Sequence, residues 1–247
     1  MKTLKFSLSN DKLKHIKEWS DIENPKVYSF SLLSGYSCPS AKDCHAYARV
    51  NKVTGKKTLQ DGKHAKFRCF SARDEARLPN VYNQRKHNFD TLLGIKDDYI
   101  DIAILIQESL PKNANFIRVH VGGDFFTKAY MQAWYLVAEK NPNIIFYAYT
   151  KSIKWMSELE YLRPDNFRIT ASYGGKEDAI IDELNLKSAK VVFHPSETNL
   201  PIDHNEYYAI NDEGNFSLVL HGTQRAGSKA SKALSKMIAE GINPNYS

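Results

Sequence analysis

The 247-residue chain predicts one α/β domain, a full or partial TIM-like (β/α) barrel with a cysteine-bearing loop region near its N-terminus. Three observations carry that expectation. Beyond residue 116, short segments rich in β-branched and aromatic residues alternate with stretches of helical spacing, the pattern of a mainly parallel sheet. Strand-like segments number about six or seven, which favours a barrel over a doubly wound sheet. Glycine and polar residues gather where these segments end, at Gly122-Gly123-Asp124, Thr150-Lys151, Gly174-Gly175, His194-Pro195 and His221-Gly222. In a barrel all of these meet at the face where active sites are built.

Taken in order, 27–33 reads as the first strand, and Gly35 and Pro39 then favour a loop carrying Cys38 and Cys44. Cys69 precedes Phe70-Ser71-Ala72-Arg73-Asp74-Glu75, which has the serine start and early acids of a helix N-terminus. Helices are expected at 78–93 and 97–110, the second with Ile100, Ala103, Ile104 and Gln107 on one face. Strands follow at 116–121, 144–150, 167–173 and 190–194, separated by helices at 127–140, 152–161 and 176–186. Further strands at 207–210 and 216–220 and a helix at about 228–240 complete the chain. The domain thus comprises a cysteine-loop and helical region at 34–110, regular β/α units at 116–222, and the C-terminal helix.

Hydrophobic residues at 42% and charged residues at 25% are those of an ordinary globular protein. No apolar run approaches the ~20 residues of a membrane helix, and residues 1–11 have no apolar signal core, so the expected address is the cytoplasm, with no membrane partner. The net charge of +6 is spread along the chain, denser at 52–66 and 225–236; without a recognition motif it describes a solvated surface and only a weak nucleic-acid signal.

Three cysteines is an odd number for a disulfide framework, and all three lie within residues 38–69. Three roles remain open: a cluster or metal site, structural zinc, and buried thiols acting as small apolar side chains. Structural zinc usually shows close paired spacings, which the five residues between Cys38 and Cys44 fit poorly. Three thiolates with one open position suit a 4Fe-4S cubane. A helix N-terminus at Cys69 favours the thiolate that such iron requires.

The strand-loop-cysteine entry followed by Val119-His120-Val121-Gly122-Gly123-Asp124 resembles the radical S-adenosylmethionine barrels. In these a cysteine loop after the first strand holds a 4Fe-4S cluster. Gly122, Gly123 and Asp124 resemble their Gly-Gly-Glu segment, which touches the methionine amino group. A nearer resemblance, over residues 27–222, is to poorly characterised phage-encoded relatives with a cysteine loop, a Gly-Gly-Asp-like strand end and a Thr-Lys segment, here Thr150-Lys151. That resemblance implies metal ligation by Cys38, Cys44 and Cys69, a cofactor site at Gly122, Gly123, Asp124 and Lys151, and residence in the host cytoplasm. The chain departs from the radical pattern in that 24 residues separate Cys44 from Cys69.

Asp124 reads as an amino-group acceptor, a ligand to the open iron, or a capping acid for the helix near 127. Lys151 reads as an anion binder or a snorkelling lysine. His194 and His221 are fourth-ligand candidates, or hydrogen-bonded strand-end histidines. The function expected is a cluster-binding redox or electron-transfer protein working with a redox partner or a small-molecule substrate. The alternatives are a radical S-adenosylmethionine-type enzyme and a zinc-binding structural or nucleic-acid-interaction protein.

Overall fold

Alternating strand and helix propensities produce a seven-stranded, mostly parallel sheet whose strands lie side by side in chain order. The computed structural model describes residues 3–8, 15–211 and 213–244. Its elements begin with β1 (Ser7–Leu8), α1 (Ile16–Trp19), β2 (Val27–Phe30), β3 (Ala46–Val50), β4 (Lys57–Asp61), α2 (Phe70–Arg77), α3 (Pro79–Leu93) and α4 (Tyr99–Ser109). The regular units follow: β5 (Phe116–Val119), α5 (Lys128–Glu139), β6 (Ile145–Thr150), α6 (Ile153–Glu158), β7 (Phe167–Ser172), α7 (Asp178–Glu183) and β8 (Ser188–Val192). The chain closes with α8 (Tyr207–Asn211), β9 (Phe216–Val219) and α9 (Lys229–Ala239). The sheet order is β1-β2-β5-β6-β7-β8-β9, with β1 antiparallel to β2 and every other pair parallel. This is the mixed α/β architecture expected, and among the described residues no ladder joins β1 to β9.

Both faces of the sheet are covered, because successive side chains point to opposite sides. Phe30, Ile117, Phe146 and Phe167 pack with Trp134, Ile102 and Ile106 of the helices. On the other face, Val27, Phe116, Tyr147, Ala189 and Phe216 meet Ile16 of α1 and Ala209 and Ile210 of α8. Helix starts follow the capping residues: Asp98 accepts from the Ile100 and Asp101 N–H groups, Thr127 from Tyr130, and Ser228 from Ser231. Among the described residues no helix is long and apolar enough to cross a membrane.

Two segments differ from expectation. The strand expected at 207–210 is the one-turn helix α8. Turn chemistry overrides the β-propensity of its tyrosines, since Asp203 accepts from Asn205 N and Asn205 from Tyr207 N, starting a helical turn whose Ala209 and Ile210 pack against the sheet. The stretch after Cys44 forms a separate antiparallel hairpin, β3–β4, with Ala46 and Ala48 buried. Asn51 closes its tip, accepting from Val53 and Thr54 N–H groups, and Gly55 takes the left-handed φ of +68°.

Candidate metal centre

The loop after β2 is held from three sides. Leu32 N donates to Gly122 O (2.8 Å) at the end of β5, and Lys42 N and Asp43 N both donate to Gly174 O (3.1 and 2.8 Å) at the end of β7. Lys176 N donates to Ser40 O (2.9 Å) and Ala41 bridges Gly175. Gly174, with φ +93°, lets this loop close in, since a Cβ there would stand 3.0 Å from that of Asp43. Gly174-Gly175 therefore brings backbone against the cysteine loop. Within the loop Gly35 N donates to Cys38 Sγ at 3.3 Å.

Cys69 is the N-cap residue of α2, and its side chain makes no capping hydrogen bond. What returns it to the first loop is a buried polar network. Glu75, fully buried on α2, accepts from Ser34 N (3.0 Å), Ser34 Oγ (2.9 Å) and Arg85 Nη1 (2.8 Å). Arg85, from α3, also donates to Ser71 O (3.0 Å) and Ser71 Oγ (2.6 Å). Glu75 thus clamps the start of the Cys38 loop to the helix that begins at Cys69, and Arg85 compensates its charge from α3.

The three thiols share one electrostatic neighbourhood. Burial first, then Asp124, Cys69 and, more weakly, Cys44 push the Cys38 thiol well up, against the Gly35 N–H. Burial, then Cys44, raises Cys69 to about 11, against the N–H groups of Ser71 and Ala72. The Cys38 and Cys69 thiols therefore resist ionisation, a balance that a bound cation would reverse. Among the described residues no three His, Cys, Asp or Glu side chains gather tightly enough to hold a single metal ion.

Cys44 and Cys69 line a cavity of about 160 Å³ at the C-terminal strand ends, with Arg118, Tyr149, Lys151, Glu206 and His221 around it. Arg118 forms an ion pair with Glu206, which also accepts from Tyr149 Oη (3.1 Å). Lys151 Nζ donates to Ser172 Oγ (2.5 Å). The His221 ring packs on Phe70, centroids 4.7 Å apart. His221 is thus brought beside two of the cysteines. His194 is held elsewhere, its Nε2 2.7 Å from Glu240 Oε2 of the chain after α9 and its Nδ1 2.7 Å from Ser196 Oγ.

Asp124 is buried and turned to β6: Oδ1 accepts from Thr150 Oγ1 (2.7 Å) and Phe125 N (2.7 Å), and Oδ2 from Lys151 N (2.8 Å). It therefore clasps two strand ends, while Thr127 caps α5. Burial raises its carboxyl to about 6 against these hydrogen bonds. Gly122 and Gly123 are closely covered. A Cβ at Gly122 would meet Ser71 Oγ at 2.2 Å, and one at Gly123, φ +91°, would meet Ser37 Oγ at 2.6 Å and Leu32 Cβ at 2.7 Å. Gly123→Ala combines left-handed strain with a clash, so urea unfolding is expected to show a loss of about 2 to 4 kcal/mol. A change below about 0.5 kcal/mol would show that the loops yield freely.

His120, with φ +72°, is buried with Nε2 2.9 Å from Tyr130 Oη. Burial holds its imidazole down at about 3. The unfolded chain takes up a proton below about pH 6.5 while the folded one does not, so stability present above that pH is lost as pH falls toward 3, by at most about 1.4 kcal/mol per unit. His120→Asn keeps a residue tolerant of positive φ and is expected to flatten this acid limb in urea midpoints. An unchanged slope would assign the acid sensitivity elsewhere.

Sequence reasoning missed Glu75, Arg85, Ser34, Arg118 and Glu206. The one available signal was Arg118, a cation inside the otherwise apolar Phe116–Val119 strand.

Fold and site define a mixed α/β protein in which two separate loops place three cysteines near the ends of parallel strands. The chain belongs to the Gene product 88 family, which it matches over residues 3–238. It is similar to the Gene 88 protein of Mycobacterium phage L5, 24% identical over 166 residues that cover 59% of this chain and 69% of the relative. No solved structure matches it.

Proposed function

We propose that Cys38, Cys44 and Cys69 hold a 4Fe-4S cluster at the mouth of a partial barrel, and that the protein works in redox or electron transfer in the host cytoplasm. The observation that carries this reading is the shared surroundings of the three thiols, with the Gly35 N–H donating to Cys38 Sγ. Hydrogen bonds of this kind stabilise cluster thiolates and tune their potential. In a cubane each thiolate binds its own iron, so the sulfurs stand further apart than around one zinc ion. The bound cluster would supply one-electron chemistry. This chain's own residues would hold it by three thiolates, with His221 nearby as a fourth-ligand candidate. Six consecutive parallel strands, β2 and β5 to β9, fit a partial barrel with this site at the usual functional end.

The cavity favours a second reading, a radical S-adenosylmethionine-type enzyme, because Lys151 lines it beside Cys44 and Cys69 and, with Arg118 exchanged from its Glu206 partner, would hold an anionic group. The close cover over Gly122 and Gly123 supports the electron-transfer reading instead. Anaerobic purification with iron, sulfide and zinc analysis tests the cluster, with close to four irons and matching sulfide expected. Stoichiometric zinc without sulfide would overturn it. Adding S-adenosylmethionine to the reduced protein separates the two readings: a changed electron paramagnetic resonance signal supports the enzyme, an unchanged one electron transfer.

A further inference from the structure

The net charge is not evenly distributed. Residues 42–68 contain eight basic side chains and two acidic ones, while the other 220 residues contain 26 of each, so the whole excess of +6 lies between Cys38 and Cys69. Both acids there are engaged: Asp43 with Lys66 (2.8 Å) and Asp61 with Arg68 (2.8 Å). This segment is the β3–β4 hairpin and its flanks.

The register sorts the hairpin into two faces. Ala46, Ala48 and Val50 pair with Asp61, Leu59 and Lys57 on one face, where Ala46 and Ala48 are buried. The opposite face carries the pairs Tyr47–Gln60 and Arg49–Thr58, extended toward the tip by Asn51 and Lys56. Arg49, Asn51, Lys52, Lys56 and Thr58 are exposed, and with Gln60 they line a shallow groove of about 430 Å³. No carboxylate lines this groove. Beside it the exposed Tyr36 meets Tyr47 edge to face, centroids 5.2 Å apart.

We propose that this ribbon face binds nucleic acid, gripping the phosphate backbone with Arg49, Lys52 and Lys56. Cations interleaved with hydroxyl and amide side chains are the donors that phosphate and sugar oxygens accept from. A two-stranded ribbon fits the major groove of a duplex, and the tyrosine pair offers a stacking surface for unpaired bases. Asp61 with Arg68 ties the base of the ribbon to the segment that leads into Cys69. The proposal stands on the hairpin alone and is independent of the cluster.

The test is fluorescence anisotropy of the full chain with labelled duplex DNA, single-stranded DNA and RNA across a salt series from about 50 mM. Binding is expected to weaken steeply with salt. The triple variant Arg49→Ala/Lys52→Ala/Lys56→Ala should lose at least about tenfold in affinity and about 2 to 3 in the log–log salt slope, near 0.9 for each duplex phosphate contact. Lys232→Ala/Lys236→Ala on α9 should leave binding unchanged, and circular dichroism checks that each variant is folded. No binding to any nucleic acid at low salt, equal loss in the α9 variant, or equally strong competition by polyglutamate, which would indicate an acidic protein partner, would each overturn the proposal.

Discussion

Replacing any one of Cys38, Cys44 and Cys69 by serine is expected to leave anaerobically prepared protein nearly free of iron and sulfide, with its absorbance near ~400 nm gone. A neutral serine hydroxyl is a poor substitute for a thiolate at soft iron, and two anchors hold a cubane weakly. The largest informative contrast is Cys69→Ser, because this residue arrives on α2, far along the chain from the other two. Serine is also a good N-cap, so the variant should keep the α2 start and fold normally. Iron loss with an unchanged unfolding midpoint would therefore report ligation, whereas full iron retention in Cys69→Ser would remove this residue from the ligand set. Loss of zinc in place of iron and sulfide would identify the rival structural site.

The second large effect is expected at the buried ion pair. Arg85→Met leaves the Glu75 carboxylate without its cation in a position where neither side chain has appreciable access to water (9% and 0% exposed). Breaking such a pair from one side costs about 3 to 5 kcal/mol, which urea unfolding would read directly. The double variant Glu75→Gln/Arg85→Met removes the stranded charge while Gln keeps an acceptor for Ser34 N, and should recover part of the loss. Because Glu75, whose charge Arg85 compensates, joins the Cys38 loop to the Cys69 helix, Arg85→Met should also lower iron content in protein that is still folded. A single-variant effect below about 1 kcal/mol would mean that water or a neighbouring donor replaces the guanidinium.

The chain's own pattern determined the alternation of parallel strands and helices, the loop at Cys38 and Cys44, and the helix beginning after Cys69. These depend on periodicity, caps and turn residues within a few positions of one another. Local chemistry also misled at 207–210, where tyrosines and isoleucine suggest a strand and the acceptors Asp203 and Asn205 start a helical turn instead. Only the tertiary structure decided what Gly122-Gly123-Asp124 packs against. Its glycines admit Ser71, Ser37 and Leu32, and its carboxylate clasps Thr150 and Lys151, so the segment joins loops far apart in the chain. The same holds for His194 and His221: alike as strand-end histidines, they part because Glu240 and Ser196 engage one while the other packs on Phe70 beside Cys44 and Cys69. Nor does any local pattern pair Glu75 with Arg85 and Ser34. That clamp exists because burial makes an unpaired charge expensive, and which partner answers it depends on elements that meet only when the chain is folded.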